Sequence, residues 1–524
     1  MNNFIEKYWE NNKHLWDNKL ITRFPPEPNG LLHIGHAKAL SVSGGMAEKY
    51  GGKMNLRMDD TNPENEDSYF TKMIVEMVDW LEYDYNNTVL YASDYFSSMY
   101  DLAIKMIEND LAYVDFTSKD KITEMRGTLY KAGVRSEDSN KPIEWHLSEF
   151  IKMKDGVYEN GHCVLRAKLD MASSNMNMRD PIIYRIKKIH HERTGDTWSI
   201  YPTYDYAHPN EDFYENISLS LCTLEFEDHR PFYDYIISLC KKFLPSTGAK
   251  HHPVELEFAR LELDKGLTSK RKINALVEEG KVDGFDDPRL VTLIALRRRG
   301  FTPASIRRFC EDIGVSKSNS IIPFAKLEEA LRIELDDKAL RRIVISKPVL
   351  MTVVNSFDTF NVKAANHPKI DLGERDFLVS SKMWIEEDDI RLTGKAEKGF
   401  KRVEIGAVFR IMYTGLIYEC IDILTDDNGD IKEVLVNVVL DKKPRVAIHG
   451  LAVDNALPIE ISEPDVIPSD NVNPSDYIKI KNGYCEPCTL DTEGTFQAVR
   501  YGWIVKDRNV FNKLILTTTL KSSL

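Results

Sequence analysis

Residues 24–40, FPPEPNGLLHIGHAKAL, constrain this chain more than any other segment. A strand-like run, Lys19 to Phe24, enters a turn rich in Pro, Asn and Gly, and a helix opens at His33-Ile34-Gly35-His36. Two imidazoles then stand one turn apart beside the N–H groups of a helix N-terminus, where oriented donors and a positive dipole end favour a phosphate. Gly35 lets a nucleotide approach the backbone closely, and neutral His33 and His36 can donate hydrogen bonds to a triphosphate without repelling a metal ion. An HxGH quartet alone is weak, arising by chance in roughly one chain of this length in ten to twenty. The context carries the weight, because a second strand-like run, Lys53 to Met58, completes the order of a right-handed βαβ unit.

At 524 residues the chain exceeds any single hydrophobic core, so several domains are expected. No apolar run approaches the roughly 18 residues that span a bilayer, and the opening MNNFIEKYWENNK is too polar for a signal peptide, so a cytoplasmic protein with no membrane role is expected. The 7 cysteines, scattered and odd in number, point to reduced thiols. Cys485 and Cys488 form a CxxC without a second pair or paired His, so no structural metal is expected. A formal net charge of -13 opposes nucleic-acid binding globally. The basic residues nevertheless cluster at Ser269 to Lys272, Arg297 to Arg299, Arg341-Arg342, Lys401-Arg402 and Lys442 to Arg445, as a basic track on an acidic body would require.

The string around HIGH resembles the signature of class I aminoacyl-tRNA synthetases, and EPNG before it resembles their glutaminyl branch. Leu267-Thr268-Ser269-Lys270-Arg271 is similar to the second class signature, with Thr268 where the family has Met. The resemblance covers essentially the whole chain. It implies an α/β Rossmann-type catalytic domain (1–100 plus 200–262) and an inserted acceptor-stem-binding domain (101–199). A helical connective subdomain with the SKR loop (263–340) and two all-β anticodon-binding barrels (341–524) would follow.

The residue patterns agree with that order. Phe70, Met73, Ile74, Met77 and Leu81 predict an amphipathic helix after Pro63. Strand character recurs at Val164–Asp170 and Pro181–Ile186, and the nucleotide sheet is expected to return near Trp198–Tyr206 and Leu221–Phe226. Thr302-Pro303 reads as an N-cap and first-turn pair for a helix carrying Ile306, Phe309, Cys310 and Ile313. Apolar runs flanking Asp426-Asp427-Asn428-Gly429-Asp430 predict a hairpin, while four prolines between Pro458 and Pro474 predict loops.

The implied reaction is ATP-dependent activation of L-glutamine to an adenylate and transfer to the 2′-hydroxyl of the terminal adenosine of tRNA(Gln), by a monomer, with Mg²⁺ on the ATP. Catalysis of this kind is positioning and charge stabilisation, with no protein nucleophile. By the resemblance His33, His36 and Lys270 are catalytic, and Pro26, Glu27, Asn29, Gly35, His36, Ser269 and Lys270 bind ATP. Arg23, Asp59, Tyr204, His208 and Cys222 form the glutamine pocket, with Asp59 on the α-ammonium. Asp228, Arg341, Arg402, Gln497 and Arg500 meet tRNA, Asp228 in the acceptor minor groove and the others at splayed anticodon bases. Glutamyl relatives place Arg where this chain has Cys222. An uncharged thiol leaves a buried substrate carboxylate without a counter-ion, which favours the amide. Glu255, Leu219, Thr268 and Gly399 depart from the family's usual residues. The competing readings are a glutamyl or non-discriminating enzyme and a non-catalytic tRNA-binding paralogue.

Overall fold

The computed structural model describes residues 3–64, 66–244, 251–392 and 402–520, so the departure at Gly399 and the basic residue Lys401 lie outside the described residues. The chain forms two compact units, Met1–Glu262 with Cys310–Ile322, and Leu263–Phe309 with Pro323–Leu524.

In the first unit, parallel strands Ile21–Phe24, Lys53–Met58 and Val89–Tyr91 lie side by side in that order. The helices Ile34–Tyr50 and Ser68–Trp80 are the crossovers, which makes this the βαβ arrangement expected from the HIGH segment. The first helix stops at Gly51, whose φ of 61° lets its N–H reach Ala47 O and Glu48 O. A second parallel pair, Leu219–Thr223 with Val254–Phe258, extends the sheet past its first strand. Ser218 N–H donates to Ile21 O at 2.8 Å, and Ile21 N–H donates to Ser218 Oγ at 3.0 Å. One face of this sheet packs Leu219, Leu221, Leu256 and Phe258 against Val42 and Met46 of the HIGH helix, with Trp9 and Trp16 beside them. Leu219, the departure from the family's His, is thus a fully buried core residue.

The insertion is an antiparallel sheet of Ala112–Asp115, Val164–Ala167, Ile182–Ile186 and Ile200–Pro202 in chain order. This corrects the expected return to the nucleotide sheet at Trp198–Tyr206. The strand there is Ile200–Pro202, and it pairs Tyr184 with Pro202 and Ile186 with Ile200 as the edge of the inserted sheet. An edge is where a strand proline, lacking an N–H, is tolerated. Tyr204 already begins the helix Tyr204–Tyr214, and the strand expected over Leu221–Phe226 runs from Leu219 to Thr223 before a 3₁₀ turn, Leu224–His229.

The second unit begins with helices, Lys270–Glu278, Leu293–Arg299 and Ala325–Leu335 among them. Thr302 caps the helix that opens at Pro303: its Oγ1 accepts the Ser305 N–H at 3.1 Å. From Arg341 onward the described residues form two seven-stranded sheets and a two-stranded antiparallel ribbon, Phe360–Ala365 with Glu374–Val379, joined by loops and short 3₁₀ turns. The outermost strands of one sheet are Arg341–Arg342 and Val344–Ile345, and those of the other are Ala447–Ile448 and Gly450–Ala452. Each pair is almost continuous in sequence, so each sheet curls until its two ends meet, which is how a barrel removes its edges. The Asp426–Asp430 segment links antiparallel strands Ile417–Thr425 and Ile431–Val438, with Gly429 at φ 86°. The loop expected across Pro458–Pro474 instead starts with an eight-residue strand, Leu457–Pro464. Glu460 N–H donates to Asn512 O, just before the Lys513–Thr519 strand, and of Leu457–Pro464 only Glu460–Ser462 pair with that strand. Pro458 and Pro464, on the same amide side as Glu460, therefore have no ladder bond to lose.

Candidate active site

His33 is the N-cap of the HIGH helix, and its Nδ1 accepts the Gly35 N–H at 3.1 Å. In return the His33 N–H donates to His36 Nδ1 at 3.1 Å, a capping box built from two imidazoles. Because both Nδ1 atoms accept, each ring carries its proton on Nε2. The rings lie 3.9 Å apart between centroids, so the capping that starts the helix also fixes two parallel-acting N–H donors. Glu27 is exposed and takes a hydrogen bond from Asn29, and Pro26 is tied to the neighbouring strand end by Asp59 N–H to Pro26 O at 3.1 Å.

That bond brings the turn after Met58 to the PPEP segment. Asp59 is buried and accepts the Thr61 hydroxyl at 2.8 Å. Burial, reinforced by Glu27, raises its carboxyl to about 6 against the pull of Thr61 and Arg57. Burial likewise lifts Glu66 to about 8, with Asp60, Asp59 and Glu27 adding to it. Asp59, Asp60, Glu66 and Glu27 thus crowd acidic groups at this corner of the site.

Arg23, 1% exposed, is fully engaged: Nη1 donates to Leu221 O at 2.7 Å, Nη2 to Ser220 Oγ at 2.9 Å, and Nε to Asp212 Oδ1 at 3.4 Å. Its Nη2 also faces His208 Nε2 at 2.7 Å, while Arg57 Nη2 faces His208 Nδ1 at 3.1 Å. Burial between two guanidinium groups holds His208 well below its ordinary pKa, so the ring is neutral, and Tyr204 stacks on it with centroids 5.2 Å apart. Arg57 in turn meets Glu211 at 2.8 Å, Asp212 at 3.0 Å and Glu215 at 3.1 Å. Burial pushes Glu211 well up despite Arg57. Burial pushes Asp212 the same way, but His208, Arg23 and Arg57 outweigh it and hold that carboxyl low. Both buried cations are thus already neutralised within the protein.

Cys222 closes this side. Its thiol, raised by burial and by Glu255, donates to Glu255 Oε1 at 3.0 Å. Glu255 is 3% exposed, and burial lifts it to about 7 although the Cys222 hydrogen bond and Arg23 pull it down. The departure at Glu255 therefore adds an acid beside Cys222. Arg57, Asp212, Glu211, Ser220 and Glu66 were not singled out from sequence. The run Asn210-Glu211-Asp212 with Glu215, following Tyr204 and His208 on one helix, was the available signal for counter-ions to Arg23 and Arg57.

Asp228, in the same unit, is exposed on the Leu224–His229 turn, and its backbone carbonyl accepts the Asn175 side chain at 2.6 Å. The remaining candidates belong to the second unit. Ser269 is the N-cap and Lys270 the first residue of the helix Lys270–Glu278. The loop before it is anchored by buried Leu267 and by Lys265 on Asp465 at 2.6 Å, and the helix by Lys272 on Asp470 at 2.9 Å. Arg341 is buried: it donates to Ala339 O and Asp336 O at 2.9 and 2.8 Å and lies over Trp503. Gln497 is its strand partner. Arg402 and Arg500 both bind Asp389. The basic track is thinner than the sequence implied, because Arg298 pairs with Asp507, Arg299 bonds Thr517 O, and Arg342 bonds Thr492 and Asn366, all largely out of solvent.

A strand-turn-helix segment capped by two imidazoles on a parallel sheet, an antiparallel insertion and two C-terminal barrels define a class I aminoacyl-tRNA synthetase. The chain belongs to the glutamyl and glutaminyl family of these enzymes: residues 19–336 match tRNA synthetases class I (E and Q), catalytic domain, and residues 339–440 match the anti-codon binding domain of the same family. The glutamine–tRNA ligase of Nitrosomonas europaea is 42% identical over 98% of this chain and 96% of its own length. Those of Chromobacterium violaceum and Ralstonia nicotianae are 40% and 41% identical over 93% and 95% of this chain, and 91% of their own length in each case. A solved glutamate-tRNA synthetase from Elizabethkingia anophelis covers 60% of this chain and 70% of its own at 16% identity and a TM-score of 0.44, too distant to bear on the amino acid used.

Proposed function

We propose that this chain is a glutamine–tRNA ligase that charges tRNA(Gln) at the 2′-hydroxyl of its terminal adenosine, working as a monomer in the cytoplasm. The observation that carries the choice of amino acid is the Cys222 thiol on Glu255 beside an Arg23 and Arg57 already matched by carboxylates. A substrate carboxylate placed there would find an acid instead of a cation, whereas an amide brings no charge to desolvate. The near-full-length relatives named as glutamine–tRNA ligases support the same reading.

In this reading Asp59 takes the α-ammonium, and Tyr204 with neutral His208 walls the pocket. The glutamine carboxylate attacks the α-phosphate of ATP in line and pyrophosphate leaves; the 2′-hydroxyl of the terminal adenosine then attacks the carbonyl of the adenylate and AMP leaves. Charge that develops on the phosphates is met by the Nε2–H groups of His33 and His36, which the capping box orients, and by Lys270. Pro26, Glu27, Asn29, Gly35 and Ser269 line the ATP, and Mg²⁺ travels on its phosphates. Asp228 accepts from a guanine amino group in the acceptor minor groove, and Arg341, Gln497, Arg402 and Arg500 serve the anticodon.

The test is charging of tRNA(Gln) with labelled glutamine, ATP and Mg²⁺. Charging that falls by about 10²-fold or more in Lys270→Ala supports the reading. Absence of charging with tRNA binding retained would favour a non-catalytic tRNA-binding protein.

A further inference from the structure

Asp389 has no place in the scheme above, yet its carboxylate accepts from two arginines of the barrel region. It is fully buried, at the end of a 3₁₀ turn, Glu387–Asp389. Arg402 Nη1 donates to its Oδ1 at 2.7 Å. Arg500 grips it as a fork, Nη1 on Oδ2 at 2.6 Å and Nη2 on Oδ1 at 2.5 Å. The two arginines come from distant parts of the chain, and their side chains remain 41% and 27% exposed while the acid between them has no exposure at all.

Two further features show that this arrangement is built. Arg500 holds φ at 66°, a left-handed backbone that a side chain other than Gly, Asn or Asp rarely adopts, and this conformation accompanies the fork on Asp389. His449, 4% exposed, accepts from Arg500 Nη1 at 3.1 Å on its Nδ1, and its ring is held neutral by burial, so it braces the guanidinium without competing for Asp389. Two guanidinium groups sharing one carboxylate hold their outward N–H groups in fixed planes.

We propose that Asp389 is a positioning residue for tRNA discrimination: it gathers Arg402 and Arg500 onto one carboxylate, so that they meet the nucleic acid as a single preorganised pair. The proposal rests on the reading that these two arginines touch tRNA. Guanidinium forks confer base selectivity only when their planes are fixed, and an arginine freed from Asp389 would retain charge attraction while losing direction.

The experiment compares wild type, Asp389→Asn, Arg402→Ala/Arg500→Ala, and the triple variant. It measures KM for a tRNA(Gln) transcript and for the same transcript with a substituted anticodon, KM for glutamine at saturating tRNA, and the melting midpoint. Asp389→Asn should narrow the preference for the cognate anticodon by about tenfold to a hundredfold, with glutamine KM unchanged at a temperature below the melting midpoint of each variant, and the triple variant should match the double. An unaltered preference in Asp389→Asn while the double variant loses it overturns the proposal alone. A double variant that keeps its preference overturns the reading of the arginines, and the proposal with it. Should Asp389→Asn fold poorly, Arg500→Lys keeps the charge and removes the fork; the same narrowing is expected there, and its absence overturns the proposal.

Discussion

A methyl group at position 35 would lie 2.8 Å from His33 Cε1 and 3.0 Å from its Nδ1. The glycine in HIGH therefore serves His33 first, because any side chain there pushes away the ring whose Nδ1 bonds the Gly35 N–H. Gly35→Ala should leave the fold intact and lower kcat by about 10²-fold, the usual loss of one fixed transition-state donor, as read by single-turnover charging. The carboxyls give a second test. Asp59, raised to about 6, must be ionised to hold an ammonium, so KM for glutamine should rise as pH falls through 6 while KM for ATP stays level. Stability should move the other way. Glu66 and Glu255, raised to about 8 and 7 in the folded state, keep protons that the unfolded chain has already released. Stability thus falls as pH climbs from about 4.5, the ordinary Glu value, toward 7 to 8, by at most about 1.4 kcal/mol per pH unit for each group, and denaturant titrations of Glu255→Gln should show a shallower fall. HIGH, Asp59 and Cys222 were legible because they sit in unbroken strings. Asp212, Glu211 and Arg57 were not, since nothing in a linear sequence says which helix acid will face which strand arginine.

At the scale of elements, the βαβ unit and the hairpin at Gly429 could be read from periodicity and turn residues alone. What periodicity leaves open is the partner. The run Ile200–Pro202 alternates as a strand should, but it pairs into the inserted sheet. The prolines near 458 signal a loop until the length of the neighbouring strand is known. Strand joins also carry buried charge that no pattern reveals. Glu486, 2% exposed, takes the Ile343 N–H at 2.6 Å between the two strands at the barrel seam and binds Arg375 Nε at 2.7 Å. Glu486→Ala should cost about 3–5 kcal/mol, because it leaves Arg375 buried without its anion, and the loss should show in equilibrium unfolding of the full chain. Glu486→Gln, which keeps an acceptor for the Ile343 N–H, should lose less.

At the scale of the whole molecule, an excess of 13 negative charges sits beside a nucleic-acid function, and sequence clusters overstated the remedy. Several of the clustered arginines hold the fold together, Arg298 on Asp507 and Arg342 on Asn366 among them, which leaves a smaller set of exposed cations for RNA. The family places the reaction; the identity of the amino acid depends on the balance of charge around Cys222. The most direct test is charging of tRNA(Gln) with labelled glutamine and labelled glutamate in parallel, at equal concentration and at pH 7.5 or above, where Glu255 is mainly ionised. The charge balance predicts a kcat/KM for glutamine at least about 10³-fold above that for glutamate, since several kcal/mol of desolvation separate them. Comparable charging with glutamate would mean that a cation reaches the substrate side chain, and would contradict the account.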